Sequence, residues 1–314
     1  MVGGGVVGSA TALELARRGH EVHLWERFAP GHHRGSSHGP VRIFRLTYPD
    51  PDYVALGLQA LEDWRRLERD ARAPLIASTG GIDFGEGVEV CVKALTQMGV
   101  PFDELDGSEV KRRWGVTAPS GPIIHVPDNG VIAAEVTVRK QIELAQRAGV
   151  DVSYLTPVTA IEGDDPVKVT TQERDVDVEC LVICAGAWAA PLAQMVGIGL
   201  PLMVTCEQVA YLGPTPAIVP PVLIDWTEPA RYCVPAMHGA VGLRVGIHHG
   251  GKVVDPQDGP FEPDEALTRA AVAWGAEILG VSLEPIAVET CLYTNAPNED
   301  FILERHGGVV VVSA

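Results

Sequence analysis

The residues with the clearest chemistry stand at the start of the chain. Gly3, Gly5 and Gly8 fit the spacing G-x-G-x-x-G. Gly3 makes a tight turn, Gly5 offers a backbone without a Cβ to an approaching pyrophosphate, and Gly8 lets a helix pack closely on a strand. A helix starting here directs unpaired N–H groups and a partial positive charge at the phosphates. Glu26 follows Gly8 by 18 residues, the distance at which an acid accepts hydrogen bonds from an adenosine ribose. Farther on, Arg42 and Arg45 stand three apart in VRIFRLTY. They are either two solvated surface cations or planar forks able to grip a carboxylate through two parallel bonds. His248 and His249 follow an apolar run. A histidine at a strand end is a satisfied structural residue or a polar group able to act on a substrate proton. Cys291, between Thr290 and Leu292, reads by itself as a small buried hydrophobe.

These residues must be held by particular elements. A short helix over Ser9–Arg18, ended by Gly19, and a strand over Glu21–Trp25 complete a βαβ dinucleotide unit after the glycines. Only Met1 and Val2 stand where its first strand belongs. The stretch Pro30–Gly39 is too polar and irregular for a core element. Amphipathic helices are predicted over residues 53–70 and 134–148, a turn and strand over 79–85, and a small α/β excursion over 87–114. Strands are expected at Val150–Tyr154, Val158–Glu162, Val176–Ala185 and Val309–Val312. Residues 201 to about 290 read as β-rich, with strands near 202–212, 241–247 and 284–292. The nucleotide pattern opens the chain, resumes near 150–200 and returns at the end, so two interleaved domains are expected.

Composition narrows the function. The 314 residues are 46% hydrophobic and 21% charged, with mean hydropathy +0.12, which excludes a disordered, collagen-like or disulfide-scaffold chain. A net charge of −17 is repelled by phosphate fields, so neither nucleic acid nor an anionic membrane is an expected partner. No apolar run approaches the roughly 18–20 residues of a membrane span, and the start carries no signal-peptide pattern. Six cysteines at 91, 180, 184, 206, 233 and 291 form no C-x-x-C pair. No metal site and a reduced, cytoplasmic chain are therefore expected.

From Gly3 to Ala314 the chain resembles the monomeric sarcosine oxidase and N-methyltryptophan oxidase branch of the D-amino-acid-oxidase-like flavoproteins. The resemblance rests on GGGVVG at 3–8, GSSHG then VRIFR at 35–45, TGG at 79–81 and NGV at 129–131. It continues through CAGAW at 184–188, GLRVGIHHG at 242–250 and ETCLYT at 289–294. It implies an α/β fold: a Rossmann-like FAD-binding domain (1–75, 131–200 and 297–314) interleaved with a mixed antiparallel-sheet α+β substrate domain (76–130 and 201–296). It also implies that FAD is held covalently by Cys291, whose thiolate a nearby positive group must favour, with Arg42 and His38 as candidates. Gly186, Trp188, Arg27, Ser37 and His38 would join Gly3, Gly5, Gly8, Glu26 and Arg42 around the cofactor. Arg45 would clamp the substrate carboxylate. His248 would position the amine or act on its proton, and Tyr232 and Tyr293 would line the pocket.

The implied reaction is oxidation of a small N-methyl or cyclic secondary amino acid to an imine, with electrons passing through FAD to O2 to give H2O2, in a monomer. Two departures from the family matter. Arg244 stands where the family has its oxygen-activating lysine, and a delocalised guanidinium is not equivalent to an ammonium, so a dehydrogenase using another acceptor is the alternative. The family also continues past residue 314 through a glycine-rich turn, a GHGFK-like motif and a helix that carry a second cation for the carboxylate. With the short first strand, both ends of the nucleotide sheet read as cut. A non-catalytic FAD- or nucleotide-binding remnant is therefore a second alternative, and a nicotinamide dehydrogenase a third.

Overall fold

In a computed structural model, which describes residues 1–237 and 239–313, Met1 and Val2 take the place of the central strand. Ala314, the last residue of the resemblance, lies outside the described residues. Val2 bridges in parallel to Trp25 on one side and Ile183 on the other. Four main-chain bonds of 2.8–2.9 Å stitch Met1–Gly3 to Trp25, Val182 and Cys184. Two residues thus join the strand pair His23–Trp25 and Asp151–Ser153 to the pair Leu181–Ile183 and Val309–Ser313, all parallel. The antiparallel strand Ile302–His306 forms the edge.

Each face of this sheet is covered by apolar residues. The helix Val6–Arg17 packs on the helix Ala134–Arg147 through Ala12, Leu13, Ile142 and Ala145. On the opposite side lie a three-stranded antiparallel layer (Val158–Glu162, Val167–Thr171 and Asp175–Val178) and the short helix Ala189–Gln194. The first helix begins at Val6, three residues before the expected start, because Gly5 is itself the N-cap. The run expected as one strand over Val176–Ala185 divides at Glu179–Cys180: its first half joins the antiparallel layer and its second half the parallel sheet.

A nine-stranded mixed sheet is built from residues 81–126 and 203–295. Its two long strands, Met203–Gly213 and Glu284–Asn295, pair along nearly their whole length. The β-rich reading of 201–290 misses one element, the helix Glu265–Leu279. Asp264 caps its N-terminus by accepting from the N–H of Ala266, and Gly280 ends it in the left-handed conformation at φ +65°. This helix fills one face of the sheet. Trp274, Ile278 and Leu279 pack on Ile82, Phe84, Ala210, Leu212, Leu223, Cys233, Leu243 and Val245. Because strand side chains alternate, the intervening residues of the same strands point to the other face. That face carries the candidate site.

Candidate active site

Strand register brings the expected catalytic residues together. Arg244 stands opposite Tyr211 on one neighbouring strand and Val234 on the other. Tyr232, two residues before Val234, shares that face and stands opposite Gly246. A Cβ at Gly246 would lie 2.5 Å from the Tyr232 ring, so glycine makes room for that ring. Cys291 and Tyr293 project from the same face, opposite Glu207 and Thr205. Arg244 is 4% exposed, with its guanidinium 5.5 Å from the centre of the Tyr232 ring. The rings of His248 and His249 are 4.0 Å apart and both approach Tyr293. Arg45 reaches the same group from the segment after the strand Val41–Phe44, and its charge acts on His248. Its guanidinium lies between Tyr48, at 4.6 Å, and Trp226, at 4.9 Å.

The electrostatics assign states to these groups. Packing, then the charges of His249 and Arg45, push His248 down to about 4, so the imidazole is neutral at pH 7. The residue as a whole remains exposed. Tyr232 beside it, and then burial, raise the Tyr293 hydroxyl well above the usual range, so it stays a phenol. Burial raises the Cys291 thiol, while Arg42 and Arg244 oppose it. The expected activating cation is therefore two arginines rather than one, and burial outweighs them. His38 is not one of them. Its ring is buried and pushed down by that burial, Arg42 and His33, so it carries no charge at pH 7.

Residues Pro30–Gly39 contain no helix or strand, as expected, and side chains fix their course. Arg42 donates to the carbonyls of Ser36 and His38, each at 2.7 Å, and to Val41 at 2.8 Å. His38 Nε2 meets the Thr290 carbonyl at 3.0 Å, and Ser36 Oγ donates to Leu292. This loop is thereby held against the Cys291 strand. Ser37 Oγ accepts from the N–H of Val6 in the first helical turn.

Beside the loop a cavity of about 1190 Å³ runs along Gly3–Val7, Glu26–His33, Ser36–His38 and Ala185–Trp188. All the expected cofactor residues except Gly8, Arg42 and Cys291 line it. Gly8 lies just behind the wall, where a Cβ would sit 1.9 Å from the Gly3 carbonyl oxygen. Both Glu26 oxygens accept main-chain bonds, from Gly4 at 2.7 Å and Phe28 at 2.8 Å, and each keeps a second lone-pair site. Arg27 stands at the mouth, bonded to Gln257 and over the rings of Phe28 and Trp188. Gly186 turns in the left-handed conformation at φ +50°. Among the described residues, five buried side-chain atoms lack a hydrogen-bond partner. Four of them belong to residues that line this cavity: His38 Nδ1, Trp188 Nε1, Thr294 Oγ1 and Ser313 Oγ. The fifth, Arg244 Nε, faces the Cys291 cluster. Buried polar atoms without partners are costly, and a bound polar molecule would supply them. Gly8→Ala is expected to cost about 100-fold in dinucleotide affinity, from roughly 3 kcal/mol of overpacking. Fluorescence titration of the apoprotein, with circular dichroism as the control for folding, measures it.

Three residues of the site escape the sequence reading. Asp83 is fully buried in the strand Gly81–Phe84, and Tyr48 and Trp226 flank Arg45. No metal is expected from the sequence. Among the described residues, His248, His249 and Glu299 bring three ligand-type atoms within 4.8 Å of one another, with His249 Nε2 3.4 Å from Glu299 Oε1. They form a rim of exposed side chains.

A family model for FAD dependent oxidoreductases, of the DAO type, matches residues 1–314. The monomeric sarcosine oxidase of Streptomyces avermitilis is 30% identical, over 98% of this chain and 84% of its own length. The N-methyl-L-tryptophan oxidase of Escherichia coli is 28% identical, over 98% and 86%. Among solved structures, NikD, an amino acid oxidase of nikkomycin biosynthesis in its open form, superposes with a TM-score of 0.90. It is 25% identical and is matched over 100% of this chain and 88% of NikD.

Proposed function

This chain belongs to the FAD dependent oxidoreductase family, and from that premise we propose that it oxidises a small N-methyl or cyclic secondary amino acid to an imine. The observation that carries this reading is the set of five unpartnered buried atoms on residues of one cavity and one cationic cluster. Their chemistry suits FAD: the glycine turn and helix N-terminus take a pyrophosphate, Glu26 takes a ribose, and the polar wall serves the ring system. FAD, when bound, would supply the two-electron acceptor, with O2 as the oxidant that takes the electrons on as H2O2.

The chain's own groups do the rest. Arg45 presents a planar fork, stacked between Tyr48 and Trp226, to the substrate carboxylate. Neutral His248 accepts a hydrogen bond from the amine. At a pKa of about 4 it is too weak a base to deprotonate an ammonium, so positioning is its role. Tyr232 and Tyr293 wall the pocket and exclude water. Arg42 and Arg244 concentrate positive charge beside Cys291 and favour negative charge developing there. Cys291 is the covalent attachment point. We take the enzyme to work as a monomer, in line with its relative named a monomeric sarcosine oxidase, and in the cytoplasm, on its six unpaired cysteines. No helix of the described residues is long and apolar enough to cross a membrane.

The test is the intact mass of the denatured protein, with a visible spectrum recorded before denaturation. A mass excess of one FAD on the Cys291 peptide, and anaerobic bleaching by N-methylglycine or proline, are expected. A colourless protein of apo mass overturns the reading. In Cys291→Ser the flavin is expected to move wholly into the supernatant after acid precipitation. If the wild type already releases it, the attachment is wrong and the oxidoreductase reading stands.

A further inference from the structure

We propose that Asp83 is a positioning residue of the amine site, fixing the Arg45 guanidinium through Trp226 on one side and through Thr47 and Asn129 on the other. The proposal rests on the reading of Arg45 as the carboxylate clamp.

Ile82 and Phe84 point into the core under the helix Glu265–Leu279. Alternation turns Asp83 to the opposite face, where it stands level with Ile224, itself opposite Tyr232. It is 0% exposed. Its Oδ1 accepts from Trp226 Nε1 at 2.9 Å, and its Oδ2 from Thr47 Oγ1 at 3.0 Å and, more weakly, from Asn129 Nδ2 at 3.5 Å. Asn129 is fully buried as well. It donates to Thr47 Oγ1 at 2.9 Å and accepts the Leu46 N–H at 2.7 Å. One carboxylate therefore sets the plane of the indole stacked on Arg45 and also holds the two residues that follow Arg45.

A buried carboxylate costs stability unless it is well paired, and an apolar side chain would suit this strand position better. Its partners all belong to the support of one arginine. A guanidinium waiting for a bidentate carboxylate gains from such support, because little freedom is then lost on binding.

Two titratable or charged groups act on Asp83, the Arg45 guanidinium and the Cys91 thiol. Burial pushes Cys91 up to about 12, so it is neutral. Burial raises the Asp83 carboxyl to about 6, opposed by Trp226, Arg45 and Thr47. Above that pH the anion accepts from both sides. Below it, the protonated oxygen turns from acceptor to donor and meets a group that can only donate, Trp226 Nε1–H at Oδ1 or Asn129 Nδ2–H at Oδ2, and the support loosens.

The test uses the FAD-loaded enzyme with N-methylglycine as substrate and acetate as an unreactive carboxylate, read by the flavin spectrum. Asp83→Asn is expected to raise the KM for N-methylglycine and the Kd for acetate about 10-fold, with kcat within about 2-fold and FAD content unchanged. Trp226→Phe keeps the ring but removes the donor, so it serves should Asp83→Asn fail to fold. It is expected to raise both constants similarly, and the double variant no further. In the wild type both constants rise below pH 6, and in Asp83→Asn they do not. If the variants that fold keep wild-type KM and Kd while Arg45→Met loses acetate binding, the proposal fails and the clamp stands. If Arg45→Met also binds acetate normally, the clamp reading itself is overturned.

Discussion

Arg45→Met is expected to lower kcat/KM for N-methylglycine by about 10³-fold, most of it in KM, because a bidentate charged hydrogen bond in a partly desolvated site is worth about 2–5 kcal/mol. Among the described residues no carboxylate lies within 4.0 Å of its guanidinium, although two rings stack on it. A cation that lies over two aromatic rings, with its donors free, is prepared for an incoming anion. Methionine keeps the length and the packing, so the folded enzyme and its flavin are expected to survive. The control is N-methylglycinamide, which has no carboxylate. The wild type handles it poorly, and Arg45→Met should handle it no worse. Arg45→Lys should recover only part of the loss, because an ammonium neither grips two oxygens in one plane nor stacks on Tyr48 and Trp226. Equal losses on the acid and the amide would show that Arg45 serves folding or the cofactor instead.

The parts of this molecule that are legible in the sequence are those in which one short segment does one job. The G-x-G-x-x-G turn with the helix Val6–Arg17, the amphipathic helix Pro51–Ala71 and the terminal strand Val309–Ser313 all carry their own periodicity. The helix Glu265–Leu279 had readable end signals in Asp264 and Gly280. It is missed because strand-like runs surround it. Asp83 is harder to find. The burial pattern of its strand is unbroken, so the residue looks like any polar interruption. Its meaning lies in Thr47, Asn129 and Trp226, which are 36, 46 and 143 residues away in the chain. The state of Cys291 is similarly non-local. Arg42 and Arg244 meet it only when the loop before Val41 folds against the strand Glu284–Asn295, and whether burial or charge wins depends on packing that spacing does not encode.

On the proposed reading, Arg244 is expected to decide between oxidase and dehydrogenase behaviour. Electron transfer to O2 creates negative charge, and a fixed cation lowers its barrier without reorganisation. Arg244 is buried, has no carboxylate within 4.0 Å among the described residues, and keeps Nε without a partner. It stands beside Arg42, so the cluster holds two like charges that burial alone would disfavour. Such an arrangement is costly for folding, and Arg244→Met is accordingly expected to melt no lower than the wild type. Its expected defect is kinetic. Reoxidation by O2 should slow by about 10²-fold, the usual effect of removing one preorganised group, while anaerobic bleaching by N-methylglycine stays within about 3-fold. Stopped-flow absorbance measures the two half-reactions separately. Arg244→Lys places a compact ammonium at the same position and should react with O2 at least as fast as the wild type. If Arg244→Met reacts with O2 unchanged, the cation that serves O2 lies elsewhere. If the wild type itself reoxidises slowly in air but rapidly with a dye acceptor, while Arg244→Lys gains O2 reactivity, the guanidinium sets the dehydrogenase habit.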